Sequence, residues 1–444
     1  MNRIFLRHAI VLTIDEHDAY YPDGCIVIEH GKLIFVGEDA QHPEILPEDS
    51  VIDMRGKLIM PGLINTHVHS HSPLFRNFGE DVPLQRWLND IMWPAESHMT
   101  AEHAYYAALH TCLESISSGV TTFADQFYFA DSVARAVEKS GMRAFLCSTI
   151  FENGKSECGQ TVQTAADFIS AWKSKNTLIT PGLGPHAPYS VSEAQWRSIV
   201  SLSQETHTLI HTHISETKKE NQKMYAEKGK SPTAWLESLG VFSCPTLAAH
   251  CIYVSDEDIS IFRNRNVHVS YNPVSNLKLV SGIMPYSKLK NAGVQISLGT
   301  DGAQSNNTLD LLKDLKLAVL IQKQKENDPA TFSVFDAVRL VTIEGAKALG
   351  LDSIIGTLEV GKQADLIALD VQQPHLQPLH TDSIQMLYTL LVYCASGKDV
   401  TDAMVQGTWI MRNRVILTLD AHSLLQNTNE ISRQLRKAAG LSRG

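Results

Sequence analysis

Strand-like and helix-like segments alternate between about residue 61 and residue 350, and this alternation limits the fold more than any other feature. Short apolar runs bounded by turn residues are typical of buried strands, whereas the longer segments between them have helical periodicity. The strand candidates are 63–69, 121–125, 144–149, 178–186, 209–214, 247–251, 267–272 and 295–300, and the helix candidates include 101–118, 131–140, 192–205 and 309–325. Eight such units predict a (β/α)₈ TIM barrel, with a doubly wound sheet as the alternative.

Both ends of the chain have the short alternating segments of a β structure. They are residues 4–13, 24–29, 32–36 and 51–53 at one end, and 361–370, 400–406 and 407–411 at the other. Neither set would make a stable sheet alone, so we expect one small β-sandwich domain built from both. The predicted division gives residues 1–57 and 361–444 to the β domain, with a C-terminal helix in the second part, and residues 58–360 to the barrel.

Charge and composition narrow the kind of ligand. The 444-residue chain has a net charge of −10 and no basic block, which argues against nucleic acid or an anionic membrane as a partner. No apolar run approaches a membrane span, and the N-terminus is too charged for a signal peptide. We therefore expect a cytoplasmic protein with a small-molecule substrate, reduced cysteines and a homo-oligomeric state.

Metal-capable side chains fall at the predicted C-terminal ends of the strands, where TIM barrels carry their chemistry. His67 and His69 end the first strand, and because side chains two apart leave a strand on one face, both imidazoles can converge on one point. The others at strand ends are His186, His213, His250 and Asp301. Any one of these residues could be a structural histidine or a helix cap, but their joint placement at the strand ends predicts a metal-binding site.

The fifth strand offers two histidines, His211 and His213, on the same face. The alternation of side chains along the strand does not distinguish them, because residues two apart share a face. His213 lies nearer the C-terminal end of the strand, where the metal site is expected. Glu216 follows three residues later and is placed to move a proton at the substrate, with a solvated helix start as the alternative reading.

The ligand types indicate the metal. Three histidine nitrogens and the Asp301 carboxylate suit Zn²⁺, and Fe²⁺ accepts the same donors. Asp301 is flanked by small residues, which allows a close approach, and no lysine lies in residues 183–189 to bridge two metals. One divalent metal is therefore expected.

Five motifs together resemble the amidohydrolase superfamily. They are Pro61-Gly-Leu-Ile-Asn-Thr-His67-Val-His69, His213-Ile-Ser-Glu216-Thr, Ala-Ala-His250-Cys, Asn272-Pro-Val-Ser-Asn276 and Gly-Thr-Asp301-Gly-Ala-Gln-Ser. The resemblance covers essentially the whole chain and is greatest to the methylthioadenosine/S-adenosylhomocysteine deaminase branch, close to the triazine hydrolases. It implies hydrolytic deamination of 5′-methylthioadenosine, 5′-deoxyadenosine or adenosine.

The resemblance also implies a role for each matching residue. The metal ligands would be His67, His69, His213 and Asp301. Glu216 would carry a proton to the ring nitrogen of the substrate, His250 would orient the attacking water, and Asp301 would accept the proton of that water. The residues in contact with the substrate would be Glu96, which accepts hydrogen bonds from ribose hydroxyls, with His186, Ser148, Ser305 and Glu216.

The chain departs from this pattern at one place. Members that accept S-adenosylhomocysteine carry an arginine shortly after the third strand and another farther on, whereas this chain has Ser148 and, nearby, Gln160. Arg143 lies before the end of the strand and is expected to face elsewhere. We therefore expect S-adenosylhomocysteine to be a poorer substrate.

Two other functions compete with this prediction. The first is hydrolysis of a free base, a pterin or an s-triazine on the same scaffold, with ammonia or chloride as the leaving group. The second is a barrel that binds a metal without catalysis. The complete set of strand-end residues speaks against the second alternative, and Glu96 speaks against the first.

Overall fold

A computed structural model describes residues 3–82 and 86–441. The strands, numbered along the chain, belong to two sheets. The first five are β1 (Ile4–Leu12), β2 (Tyr20–Glu29), β3 (Lys32–Glu38), β4 (Ser50–Asp53) and β5 (Lys57–Pro61). The next are β6 (Leu63–Val68), β7 (Val120–Phe127), β8 (Arg143–Ile150), β9 (Ile179–Pro185), β10 (Ile210–Ile214), β11 (Thr246–His250), β12 (His268–Tyr271) and β13 (Gln295–Leu298). The last are β14 (Leu366–Asp370), β15 (Val400–Val405), β16 (Thr408–Arg412) and β17 (Val415–Ile416).

Helices lie mainly between and after the strands of the second sheet. Those up to β11 are α1 (Trp93–Glu96), α2 (Ala101–Ser117), α3 (Ala130–Ser140), α4 (Val162–Trp172), α5 (Glu193–Thr206), α6 (Lys218–Lys228) and α7 (Pro232–Ser238). The later ones are α8 (Asp256–Arg265), α9 (Pro273–Lys278), α10 (Tyr286–Asn291), α11 (Ala303–Asn306), α12 (Leu311–Glu326), α13 (Val334–Leu340), α14 (Ile343–Ala348), α15 (Ile384–Tyr393) and α16 (Ala421–Ala438). A π-helical stretch, Trp87–Met92, leads directly into α1.

Strands β6 to β13 form a parallel sheet in sequence order, and its two ends meet. The hydroxyl of Thr66 in β6 donates to the carbonyl oxygen of Leu298 in β13 at 3.0 Å, and the Asp301 amide donates to the carbonyl oxygen of His67 at 2.9 Å. The predicted TIM barrel is confirmed, and the doubly wound alternative is wrong. The barrel brings the C-terminal ends of all these strands to one face.

The local sequence explains why these segments become barrel strands and helices. All residues of β7 and β8 are buried, as expected for strands covered on both faces. Helix α3 buries Val133 and Val137 against the sheet, and Thr161 begins α4 with a capping box. The burial of both strand faces is what leaves only the strand ends open to a ligand.

The other sheet draws its strands from both ends of the chain. Its order is β17-β16-β15-β14-β5-β1-β2-β3, with β4 on β1. Leu6, Ile26, Leu366 and Met404 belong to one apolar cluster, so the two arms of the sheet enclose a common core. The predicted β domain, built from both chain ends, is confirmed. Its exact boundaries stay a prediction. Strand β5 (Lys57–Pro61) extends past the boundary predicted at residue 57.

Helix α16 returns from the β domain to the barrel. Its Ile431 and Leu435 pack in one cluster with Leu74 and Phe75, which follow β6.

Within the described residues, no helix is long and apolar enough to cross a bilayer.

A buried ion pair joins the barrel to the β domain, and it supports a prediction about stability. Arg143 begins β8 and donates from Nε to the Asp365 carboxylate at 2.8 Å, and both side chains are nearly inaccessible. Arg143 therefore faces away from the strand ends, as expected. Asp365→Asn should lower the free energy of unfolding by about 3–5 kcal/mol, because the guanidinium would stay buried without its counter-charge.

Urea denaturation of the purified variant measures this loss. The control is Glu193→Gln, which breaks an exposed pair with Arg197 and should cost about 0.5 kcal/mol or less. Equal losses in the two variants would contradict the assignment of Arg143–Asp365 as a stabilising pair.

Candidate metal centre and cavity

Four side chains predicted as metal ligands come together at the C-terminal end of the barrel. One ligand atom from each of His67, His69 and His213 lies within 4.8 Å of the others. The Asp301 carboxylate joins them, with Oδ1 3.3 Å from Nε2 of His69 and 3.7 Å from Nε2 of His67. The structure thus places Asp301 beside two of the three imidazoles, and ligand atoms of His67, His250 and Asp301 form a second group within 4.8 Å of one another.

In His69 and His213, the ring nitrogen that faces away from the cluster is hydrogen-bonded to a backbone carbonyl group. Nδ1 of His69 lies 2.8 Å from the carbonyl oxygen of Gln126, and Nδ1 of His213 lies 2.6 Å from that of His186. A carbonyl oxygen only accepts, so each Nδ1 carries the proton and each Nε2 keeps its lone pair. This is the arrangement that orients histidine ligands of metals.

His67 is held in the same way by another histidine. Its Nδ1 lies 2.9 Å from Nε2 of His211, while its own buried Nε2 has no hydrogen-bond partner in the described part of the chain. Burial, reinforced by the neighbouring imidazoles, lowers the pKa of His67 and of His213 well below the ordinary histidine value, so both are neutral. An unpartnered neutral nitrogen beside a carboxylate fits a divalent metal.

Asp301 is placed by an unusual backbone and a close approach. Its φ is 62°, in the left-handed region, and its carboxylate accepts from the Ser275 hydroxyl at 2.6 Å and from the Gly302 amide at 2.7 Å. A Cβ at Gly299 would lie 2.8 Å from the Cβ of His67, so only glycine lets the end of β13 come this near. Strained positions of this kind are concentrated at functional sites.

His250 lies beside the ligands at the end of β11. Its Nδ1 lies 2.8 Å from the side-chain oxygen of Asn276, and its φ is 73°. Burial alone lowers the pKa of His250, but the carboxylates of Glu216 and Asp301 outweigh burial and leave that pKa raised. The two carboxylates therefore favour the protonated form of this imidazole.

Glu216 follows β10 and precedes α6. Its backbone amide donates to the buried carboxylate of Glu220 at 2.8 Å, and so does the amide of Ser215 at 3.1 Å. Burial and then the charge of Glu216 raise the pKa of Glu220 to about 7. Helix α6 begins at Lys218, so Glu216 lies before the helix rather than on its exposed face, and it lines the cavity described next.

The ligand cluster forms the floor of a cavity of about 360 Å³. The lining includes His69, His213, His250, Asp301 and Glu216, and of the predicted substrate contacts it includes Glu96, His186 and Ser305. A cavity of this size suits a small molecule with a few convergent polar groups.

Comparison with known proteins identifies the family. Residues 58–410 match the family model described as the amidohydrolase family. The chain belongs to the amidohydrolase family. The resemblance seen in the sequence motifs is thereby confirmed.

Several relatives are similar to this amidohydrolase over nearly its whole length. The 5-methylthioadenosine/S-adenosylhomocysteine deaminase of Desulforudis audaxviator is 39% identical over 435 residues, covering 98% of this chain and 99% of the relative. The 5′-deoxyadenosine deaminase of Methanosarcina acetivorans is 38% identical over 437 residues, covering 98% and 99%. The crystal structure of an adenosine deaminase from Xanthomonas campestris with bound zinc superposes with a TM-score of 0.93 at 28% identity, covering 98% of both chains.

The predicted substrate residues of this amidohydrolase do not all reach the cavity. Ser148 is buried and donates its hydroxyl to the carbonyl oxygen of Gly159, so the structure corrects its predicted place and brings its neighbour Thr149 to the lining instead. His186 stacks on Phe151 with ring centroids 4.7 Å apart, and burial lowers its pKa to about 3. His186 is therefore a neutral side chain within the cavity.

Sequence analysis also missed several lining residues. His71 continues the alternation of His67 and His69 and could have been found by its parity. Lys219 and Lys223 line the cavity from α6, on the side of Glu216. They lie on a helix after the fifth barrel strand, whereas the family resemblance places its substrate-binding arginines after the third.

Proposed function

We propose that this amidohydrolase is a metal-dependent hydrolytic deaminase of adenosine-type nucleosides, which releases ammonia and the inosine-type product. The observation that carries the proposal is that Glu216, Glu96 and all members of the His/Asp cluster except the buried His67 line one cavity. The relatives named as deaminases of 5′-methylthioadenosine, S-adenosylhomocysteine and 5′-deoxyadenosine support it.

The proposal includes one divalent metal, with zinc as our choice over iron because the similar adenosine deaminase structure contains zinc. Its ligands would be His67, His69, His213 and Asp301. A divalent metal in such a site lowers the pKa of a coordinated water from about 15.7 toward about 7, which supplies a nucleophile at neutral pH.

The residues around that point would divide the proton transfers among them. Asp301 takes a proton from the attacking water, and His250 donates a hydrogen bond that aims the water oxygen at the amino-bearing carbon. Glu216 gives a proton to the adjacent ring nitrogen, so that no full charge develops on the ring. The carbon–oxygen bond forms first and gives a tetrahedral intermediate. As the carbon–nitrogen bond then breaks, the proton held by Asp301 passes to the departing amine, and ammonia leaves. The hydroxyl proton of the intermediate passes to Glu216 as the carbonyl forms, which returns both carboxyl groups to their starting states.

The lining supports small or apolar groups at the 5′ position. Near Glu96 it is formed by the aromatic rings of Trp93, Tyr128 and Phe151. The basic residues of the lining, Lys219 and Lys223, belong to α6 after β10, whereas Glu96 belongs to the segment between β6 and β7. Arg143 is bound to Asp365, so it is not available to a carboxylate at the distal end of a substrate.

The substrate range is tested by measuring ammonia release from a panel. We expect turnover of 5′-methylthioadenosine, 5′-deoxyadenosine and adenosine. For S-adenosylhomocysteine, kcat/KM should be at least about tenfold lower, because its homocysteine carboxylate would lack a charge-assisted contact with an arginine, worth about 1.5–3 kcal/mol. The panel also includes adenine, guanine, pterins, and amino- and chlorotriazines, with chloride release followed for the last.

Each other outcome has a definite meaning. Activity confined to free bases or triazines would overturn the nucleoside proposal. A preference for S-adenosylhomocysteine would show that another cation binds its carboxylate. Full metal occupancy with no turnover of any compound would favour the non-catalytic barrel.

We also propose that the protein is a cytoplasmic homo-oligomer that acts on a small molecule and binds neither nucleic acid nor a membrane. The net charge of −10 supports the absence of nucleic acid and membrane partners. Sedimentation velocity of the purified chain measures the oligomeric state.

A further inference from the structure

The Glu96 carboxylate is held by one donor on each oxygen. Nε2 of His71 lies 3.1 Å from Oε1, and the hydroxyl of Tyr128 lies 3.0 Å from Oε2. An ionised carboxylate only accepts hydrogen bonds, so both partners donate to it. Glu96 therefore has a fixed orientation, although it belongs to a short helix.

The two donors are fixed in turn by ring stacking. The His71 ring lies parallel to that of Phe127, with centroids 3.3 Å apart and 8° between the planes. Phe127 also stacks on Tyr128 at 4.0 Å. The donors come from different strand ends, because His71 follows β6 and Tyr128 follows β7. The carboxylate is thus held by the barrel itself, to which α1 brings it.

This arrangement leaves binding capacity on the cavity side. Each carboxylate oxygen has two lone-pair positions, and His71 and Tyr128 use one on each oxygen. One position on each oxygen therefore remains for a further donor, and two neighbouring hydroxyl groups supply two donors. Nδ1 of His71 is also buried and has no hydrogen-bond partner within the described residues, although His71, Glu96 and Tyr128 all line the cavity.

We propose that His71 and Tyr128 are positioning residues that aim Glu96 at the 2′,3′-diol of the sugar, so that the cavity selects ribonucleosides. This inference rests on the proposed function and deepens it, because it assigns the sugar selectivity to two residues that do not take part in the proton transfers. Their removal would weaken recognition of the diol while the metal cluster and Glu216 stay in place.

Adenosine and 2′,3′-dideoxyadenosine test this, because they differ only in the diol. In the wild type, kcat/KM should be about 10²-fold or more higher for adenosine, since two hydrogen bonds to a charged group are lost in the analogue. Tyr128→Phe and His71→Phe keep an aromatic ring but remove a donor, and each should lower this ratio about tenfold through the KM for adenosine. Glu96→Gln should lower it further.

Two additional variants separate positioning from general damage. His71→Gln keeps an N–H near the place of Nε2 and should recover part of the ratio lost in His71→Phe. Tyr105→Phe is the matched control, because Tyr105 is a half-buried tyrosine on α2 outside the cavity lining, and it should leave the ratio unchanged. Metal content is measured in every variant, since His71 lies two residues from His69.

The outcomes are distinct. If the wild type turns over adenosine but Tyr128→Phe and His71→Phe slow both substrates equally, or leave the ratio unaltered, the positioning role is refuted and the proposed function stands. If the wild type turns over no nucleoside, the proposed function fails, and this inference fails with it.

Discussion

Glu216→Gln should lower kcat for the nucleoside substrate by about 10²-fold or more while the protein keeps its fold and its metal. The amide has nearly the shape of the carboxylic acid but cannot deliver a proton to the ring nitrogen. Glu216 lines the cavity, and its backbone is held by Glu220, so the substitution is not expected to move the loop. Turnover, metal content and thermal unfolding of the variant are measured together.

The matched control is Glu227→Gln on α6, the helix that follows Glu216. Glu227 is exposed and pairs only weakly with Lys223 at 3.9 Å, so its loss should leave kcat near that of the wild type. Near-wild-type turnover of Glu216→Gln with full metal occupancy would return Glu216 to the alternative reading, a solvated residue before a helix.

His67→Ala should remove both the metal and the activity. The purified wild type is expected to contain about one divalent metal per chain, because three histidines and one carboxylate complete a single site. His67 is the most buried member of the cluster, and its Nε2 has no hydrogen-bond partner among the described residues. Elemental analysis of the wild type, the variant and a chelator-treated sample measures the occupancy, and added Zn²⁺ should restore activity to the chelated wild type only.

His375→Ala is the control for this experiment. His375 is half exposed, pairs with Asp399 and belongs neither to the cavity lining nor to the His/Asp groups found in the described residues, so its loss should leave the metal content unchanged. Two tightly bound metals per chain, or an unchanged metal content in His67→Ala, would contradict a single site that depends on His67.

The barrel and the His/Asp cluster at its strand ends could be predicted because their signals are periodic. A parallel strand buried on both faces has a continuous apolar run, and the barrel requires chemistry at the end of such runs, so His67, His69 and Asp301 were identifiable before any coordinates. The choice of His213 over His211 followed from position along the strand. The structure adds a place for His211, as the residue behind His67.

The lining above the cluster could not be predicted in the same way. Part of it comes from segments without periodicity, such as the π-helical stretch Trp87–Met92. Other contacts are made by the backbone, such as the Gln126 carbonyl oxygen that binds His69, and a backbone carbonyl leaves no signal in the sequence because every residue has one. Glu96 was found through resemblance alone, and its partners Tyr128 and His71 were not found. Ser148 was misplaced because one residue along a strand reverses the face that a side chain occupies, and Thr149 has the position that lines the cavity.

Strand β5 lies between β1 and β14, so that Lys57 is opposite Asp370. Pairing between such distant parts of a chain must close a long loop before its contacts stabilise anything, and this slows folding. During synthesis, the edge of β5 that faces β14 stays open until nearly the whole barrel has been made. Open strand edges are the usual starting point of wrong pairing and aggregation. The yield of folded protein therefore depends on how soon β14 reaches β5, and a slow stretch of translation between them would lower it.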